Sequence, residues 1–360
     1  MHVPMVDLGR LHAPIRAEID AALSRIVDSG RFILSPTGGD DVARFEAEIA
    51  ASLGFEHAVG VSSGSDALLA ALWAEGIGAG DEVIVPALSF VATAEAVVRA
   101  GAKPIFADVG RDGNLDPDAA RARVTARTRA ILAVDLFGRR ADDASLARAG
   151  VPIVIDAAQA IGPGLVRGAR AATLSFFPTK NLGAFGDGGL VATNDAALAA
   201  AVRSLRAHGA SRKYVHERIG WNMRLDVLQA AVLRAKLPHL AAWTAARRRI
   251  AARYRAELSV TRDLTLPEDA PDHVWHQFVV LAGDRDALRA HLSARDVASE
   301  IYYPLALHLQ PCFAELGGRA GEHPVAERAT RDALALPMHP VLTDAEVAHV
   351  IASVRSFFGA

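Results

Sequence analysis

Between His57 and Asp156 short apolar runs alternate with helical stretches, and this alternation restricts the fold more than any other feature of the chain. His57-Ala58-Val59-Gly60-Val61 precedes a helix over 67–73, and Glu82-Val83-Ile84-Val85 leads through Pro86 and Phe90 to a helix over 92–100. Pro104-Ile105-Phe106 precedes a helix over 117–126, and Ala130-Ile131-Leu132-Ala133-Val134 a helix over 142–149. Pro152-Ile153-Val154-Ile155 then ends at Asp156. Strands that are apolar throughout and separated by helices predict a mostly parallel sheet covered on both faces. Ligands of such sheets bind beyond the carboxyl ends of the strands. The cluster Ser62-Ser63-Gly64-Ser65, Phe90 and Asp156 all fall at such ends.

The flanking segments complete an α/β chain with a second, smaller α+β part. Ile15, Ile19, Leu23 and Ile26 recur at helical spacing up to Gly30, Pro36-Thr37-Gly38-Gly39 reads as a turn, and Phe45, Ile49 and Leu53 mark another helix. Helices are expected over 195–208 and from Asp226 past Pro238 to about Leu258. After Pro267 and Pro271 the pattern gives a strand over 274–281 and helices over 284–294, 325–335 and 344–357. The expected division is a large domain over 1–240 and a smaller one over 241–360. Arg247, Arg248, Arg249, Arg253 and Arg255 read as a solvated helix face.

Net charge of −2 gives no electrostatic case for nucleic-acid binding. No apolar run is long enough for a membrane span. Met1-His2-Val3-Pro4 lacks the basic flank of a signal peptide, and the single cysteine, Cys312, suits a reducing compartment, so a cytoplasmic protein is expected. The thirteen histidines include no His-Glu-x-x-His spacing, and His273 and His276 read as packing and hydrogen-bonding residues rather than metal ligands.

The stretch that carries chemistry is Ser175-Phe176-Phe177-Pro178-Thr179-Lys180-Asn181-Leu182-Gly183-Ala184-Phe185-Gly186-Asp187-Gly188-Gly189, leading into the strand Leu190-Val191-Ala192-Thr193. A lysine held at a strand end among small residues lets a planar ligand approach, and desolvation would lower its pKa and make it a good amine nucleophile. A surface lysine in a glycine turn is the bland alternative. Ser63, Gly64 and Ser65 open a helix after a strand, where unpaired N–H groups favour an anion. The same pattern is also an ordinary N-cap. Asp156 either caps the segment Ala157-Ala158-Gln159 or partners a buried cation. Lysine, strand-end carboxylate, phosphate cup and aromatic together are the parts needed to hold pyridoxal 5′-phosphate.

At this point the sequence resembles the DegT/DnrJ/EryC1/StrS sugar aminotransferases, which have the aspartate-aminotransferase fold. The resemblance covers nearly the whole chain. It rests on 61–67, 80–86, 156–159, 175–189, Asn222-Met223-Arg224-Leu225-Asp226 and Leu307-His308-Leu309-Gln310-Pro311. It implies that Lys180 carries the cofactor and shuttles protons, that Asp156 pairs with the pyridine nitrogen, and that Gln159 lies near the phenolic oxygen. Gly64, Ser65 and Ser175 would hold the phosphate, with Ser63 beside them, and Phe90 would stack on the ring. Asn222 would reach the phosphate of the neighbouring subunit, which implies a homodimer with shared sites. Arg224 would anchor the amino donor's carboxylate, and Tyr303 and His308 would lie near the sugar nucleotide. The implied reaction moves an amino group from L-glutamate to a keto-sugar nucleotide, dTDP- or UDP-linked. The form Asn181-Leu182-Gly183-Ala184-Phe185-Gly186-Asp187-Gly188-Gly189 resembles members that aminate C3 rather than C4.

Several positions depart from the family pattern. The segment from Gln159 to Ser175 is short, Asp135 and Tyr302 stand where histidines are usual, and Ser65 replaces a threonine. These bear on the substrate more than on the cofactor; amination at C4 and a cyclitol acceptor stay open. Related dehydratases have histidine where Lys180 stands, which argues against a lyase. A non-catalytic sensor of the cofactor or of a sugar nucleotide is a further reading, although no DNA-binding extension or basic patch supports it. A Rossmann dehydrogenase would need Gly-x-Gly-x-x-Gly where Gly60-Val61-Ser62-Ser63-Gly64 stands.

Overall fold

Each of the five strands expected between residues 57 and 156 forms in the computed structural model, which describes residues 1–34, 40–165 and 168–359. The expected turn over 36–39 lies outside the described residues. The strands are β1 (His57–Val61), β2 (Glu82–Pro86), β3 (Lys103–Ala107), β4 (Thr128–Val134), β5 (Ile153–Asp156), β6 (Ala171–Ser175) and β7 (Gly189–Thr193). Among the described residues they make one sheet in the order β1-β7-β6-β5-β4-β2-β3. β7 runs antiparallel to both of its neighbours, and the remaining pairings are parallel.

Alternation along the strands divides the core into two layers. Val59, Val83, Val85, Leu132 and Val191 point into one cluster, which packs against the helices Gly64–Ala74, Ala92–Arg99 and Ala196–Leu205. Ala58, Ile84, Ile131, Ile153 and Leu190 point into the other, against Asp41–Leu53 and Val227–Lys236. Register fixes the working edge. Gly189 lies opposite both Val61 and Ser175, and Asp156 lies opposite Val134 and Thr173. The turns after β1, β5 and β6 therefore emerge side by side.

A short hairpin, β8 (Ala210–Arg212) with β9 (Val215–His216), projects from the large unit. A third cluster unites the C-terminal segment around β10 (Leu264–Thr265), β11 (Phe278–Ala282) and β12 (Ala333–Leu336), an antiparallel sheet covered by the helices Leu240–Leu258, Arg285–Ser293 and Asp344–Phe358. Val3 belongs to this cluster, whereas Leu307, Phe313 and Ala326 join the large core.

Three local expectations are corrected. The helix expected over 325–335 ends at Asp332, and Ala333–Leu336 is a strand with all four residues buried. Pairing with Phe278–Leu281 outweighs the helix preference of Ala and Leu. The strand expected over 274–281 starts only at Phe278. Val274 and Gln277 instead donate their N–H groups to the carbonyls of Gly138 and Phe137. The arginines of Leu240–Leu258 are not simply solvated. Arg247 is 4% exposed and donates to the carbonyls of Trp275, His276 and Met338, and burial pushes its pKa down to about 9. Arg248 holds the carbonyls of His273 and Pro271, and Arg255 that of Pro267. A guanidinium satisfies several strand-end carbonyls at once, which an alternation of charges along a sequence does not reveal.

Candidate active site

The site grows from three turns. The first follows β1. Ser63 is the N-cap of Gly64–Ala74, and its Oγ accepts from the Asp66 N–H at 3.1 Å, so the capping reading is realised while the hydroxyl proton stays available. Among the described residues, the N–H groups of Gly64 and Ser65 have no acceptor. Gly64 lies against the end of β6, where an added Cβ would come within 2.7 Å of Ser175 Cβ. This leaves a bare cradle of N–H groups and hydroxyls at a helix start, which fits a phosphate. Gly64→Ala is accordingly expected to weaken cofactor binding about tenfold or more, or about 1.4 kcal/mol. Equilibrium titration of the cofactor-free protein measures this; unchanged affinity would remove the cradle from the phosphate site.

The second turn follows β5. Asp156 is 6% exposed; its Oδ1 accepts from the Ala158 N–H at 3.2 Å and its Oδ2 from the Thr93 hydroxyl at 3.0 Å. Thr93 Oγ1 lies in turn 2.8 Å from Ser89 Oγ. Burial pushes the Asp156 carboxyl upward, while the Ala158 N–H, the Thr93 hydroxyl and the Lys180 ammonium pull it back. The group thus caps Ala158 and also faces a cation, so the two readings of its sequence context coexist. Thr93 and Ser89 were not singled out from the sequence. Their signal is a pair of hydroxyls one turn apart at the start of an otherwise apolar helix.

The third turn follows β6 and carries Lys180. Protein crowds the ammonium, and this burial brings its pKa down to about 8, with the Asp156 carboxylate opposing part of the shift. Among the described residues its Nζ makes no hydrogen bond, so the amine is left for a ligand. The free-amine fraction rises as pH passes upward through about 8. Attachment of an aldehyde to Lys180 in the cofactor-free protein should therefore accelerate between about pH 7 and 9 and level off above that. Stopped-flow absorbance tests this, and a flat profile would mean that the lysine is not desolvated. Asn181 anchors the turn: its Nδ2 donates to the Val274 carbonyl, and its Oδ1 lies 3.1 Å from His276 Nδ1. His273 stacks on Trp275 with 3.8 Å between ring centroids, so both histidines pack and hydrogen-bond.

Gln159 donates from Nε2 to the Tyr303 hydroxyl at 3.2 Å and accepts from the Phe137 N–H. Phe90 is 55% exposed, its ring centroid 6.0 Å from that of Tyr303. Ser175 Oγ accepts from the Phe177 N–H at 3.3 Å. The structure thus assembles Ser63, Gly64, Ser65, Phe90, Asp156, Gln159, Ser175, Lys180 and Tyr303 along one edge of the sheet.

Asn222 and Arg224 adjoin the cradle from another direction, with Arg224 bridged to Val61 at the end of β1. They line a cleft of about 590 Å³ with Ile33, Ser63, Asp187 and Gln229, which does not include Lys180 or Asp156. His308 is buried, with Nε2 3.3 Å from Glu327 Oε1 and its ring against His323. It is not among the groups around Lys180, because the short helix Leu307–Leu309 turns it into the core. Asp135, at one of the positions that depart from the family, is buried, and its Oδ1 accepts from the Ala141 N–H. Of the short segment between Gln159 and Ser175, residues 166 and 167 lie outside the described residues.

A mostly parallel sheet with a desolvated lysine, a buried carboxylate and a phosphate cradle at its carboxyl edge defines a pyridoxal-phosphate-dependent transferase. The DegT/DnrJ/EryC1/StrS aminotransferase family matches residues 14–355, and the chain belongs to this family. It is 45% identical to a "pleiotropic regulatory protein" of Geobacillus stearothermophilus, over 99% of each chain. It is 44% identical to the dTDP-3-amino-3,4,6-trideoxy-alpha-D-glucose transaminase of Streptomyces venezuelae, over 99% of this chain and 96% of the other. The crystal structure of Streptomyces venezuelae DesV in complex with a ketimine intermediate superposes with a TM-score of 0.95 at 44% identity, covering 100% of this chain and 99% of that one. The protein is thus an aminotransferase that depends on pyridoxal phosphate.

Proposed function

We propose that the protein transfers the amino group of L-glutamate to a keto-sugar nucleotide, dTDP- or UDP-linked, with C3 of a hexose as the accepting position. One observation carries the catalytic part: an amine with pKa of about 8 faces a buried carboxylate beside an empty-sided N–H cradle. The acceptor class is supported by similarity to a dTDP-sugar transaminase, and the C3 position by the Asn181–Gly189 sequence.

When bound, pyridoxal phosphate supplies the electron sink for a negative charge at the donor's α-carbon. Gly64, Ser65 and Ser175 would hold its phosphate, Phe90 would cover the ring, Asp156 would keep a proton on the pyridine nitrogen, and Gln159 would lie toward the phenolic oxygen. Lys180 would hold the group covalently through Nζ in the resting enzyme, with loss of water, and once released by the donor amine its Nζ would serve as the base for the donor's α-proton and as the acid that returns it; the acceptor half-reaction would use the same Nζ in the opposite direction. Arg224 offers its planar fork to a carboxylate, and Tyr303 flanks the acceptor.

A homodimer with shared sites belongs to this reading. Asn222 and Arg224 line a cleft that shares Ser63 with the cradle and does not include Lys180, and Ile33, Phe177 and Phe185 are 58%, 51% and 44% exposed near that cleft and the lysine loop. Apolar surface of this kind marks contact with another chain. No described helix is long and apolar enough to cross a membrane, and the lone Cys312 suits the reducing cytoplasm in which we place the protein.

Absorption spectroscopy tests the reading. A visible band that L-glutamate bleaches, and that a C3-keto-sugar nucleotide restores with amination at C3, supports it. A C4-aminated product would move the specificity. A band that persists with glutamate and every ketosugar offered would favour the regulatory reading, which the name of the Geobacillus relative suggests.

A further inference from the structure

A second lysine lies sealed beneath the loop that carries Lys180. Lys236 ends the helix Val227–Lys236 and is 1% exposed, and burial alone brings its pKa down to about 8. Buried lysines ordinarily pair with a carboxylate, and among the described residues none reaches this one. Its three N–H donors have other partners. Nζ donates to the Gly183 carbonyl, lies 3.0 Å from His12 Nε2 and sits 5.5 Å from the centre of the Phe185 ring. Burial and the adjacent ammonium push His12 down to about 4, so its ring is neutral and accepts at Nε2 near neutral pH.

An apolar side chain would fill this place without the cost of burying a charge. What the ammonium adds is a grip on the turn after Lys180. The backbone there doubles back so closely that a Cβ on Gly183 would collide with the Pro178 carbonyl. The same helix grips the loop again, where Gln229 Oε1 accepts from the Phe185 N–H at 2.8 Å. Nearer to Lys180, Asn181 is tied to Val274 and His276. Lys180 thus directly precedes a short turn, Asn181 to Phe185, that is held at three points.

We propose that Lys236 is a positioning residue: its ammonium fixes the Gly183 carbonyl and so sets the turn that presents Lys180 Nζ to the cofactor's aldehyde. This rests on the reading that Lys180 carries the cofactor. It predicts a split between two measurements on the full-length, cofactor-free protein. One is the rate at which pyridoxal 5′-phosphate forms its visible band, as the Lys180 amine condenses with the aldehyde and water leaves. The other is the affinity for pyridoxamine 5′-phosphate, which uses the same phosphate and ring contacts and has no aldehyde.

Lys236→Met should slow band formation about tenfold to a hundredfold, because small misplacement of a reacting group costs factors of this size. Its pyridoxamine phosphate affinity should stay within about threefold of wild type. A loss of both together would show that Lys236 only supports the fold, and a loss of neither would show that the grip is idle; either overturns the proposal. Should Lys236→Met not fold, Lys236→Arg is put to the same two measurements. Its longer, planar guanidinium carries its N–H groups to positions other than the ammonium's, so the same selective slowing is expected, and its absence is equally fatal. A wild-type protein that forms no band beyond that of Lys180→Ala would sink the reading of Lys180 itself. A normal wild-type band with unaltered variants would sink only the role of Lys236.

Discussion

Lys180→Ala is expected to lose the visible cofactor band and to lower turnover by at least about 10³- to 10⁴-fold, the range that a positioned general acid–base group supplies. In the proposed mechanism the side chain has two tasks, covalent attachment in the resting state and proton transfer at the donor's α-carbon, and alanine removes both. Its neighbours remain: Asp156, the Gly64 cradle and the Gln159–Tyr303 pair do not depend on the lysine ammonium for their hydrogen bonds. The variant should therefore still bind pyridoxamine phosphate and should keep its melting temperature. Burying an ammonium is unfavourable, so alanine should not destabilise the fold at neutral pH. Turnover within tenfold of wild type would place the chemistry on another group. Lys236, although its pKa is equally low, lies too deep beneath the loop to substitute.

Asp156→Asn should lower kcat about 10²- to 10³-fold, the scale of removing one preorganised electrostatic contact. Asparagine keeps the volume, and its Oδ1 can still accept from the Ala158 N–H, so the fold is expected to survive. What disappears is the negative charge that, in the proposed mechanism, holds a proton on the pyridine nitrogen. The group facing Thr93 also becomes a donor and can no longer accept the Thr93 hydroxyl proton. Rapid mixing with L-glutamate isolates the first half-reaction, where the full deficit should appear. A normal first half-reaction would show that the Asp156 charge is not used in proton abstraction.

The order of strands and helices was legible because it depends on local pattern. Runs such as Val83-Ile84-Val85 are apolar on both faces, and only a covered parallel sheet accommodates that. Where distant partners decide, local pattern failed. Ala333–Leu336 reads as helix until Phe278–Leu281 lies beside it. Arg247 reads as a surface charge until the carbonyls of Trp275, His276 and Met338 close around it.

By itself, then, the sequence determined the alternating α/β layout, the strand-end positions of Ser63, Asp156 and Lys180, and the family to which the chain belongs. These depend on residue type and spacing along one element. Tertiary structure alone decided that Thr93 backs Asp156, that Gln159 meets Tyr303, that Asn222 and Arg224 share a cleft with Ser63, and that Lys236 reaches under Gly183. These pairs are separated by tens to more than a hundred residues. Only the packing of one layer on another brings such side chains within hydrogen-bond distance.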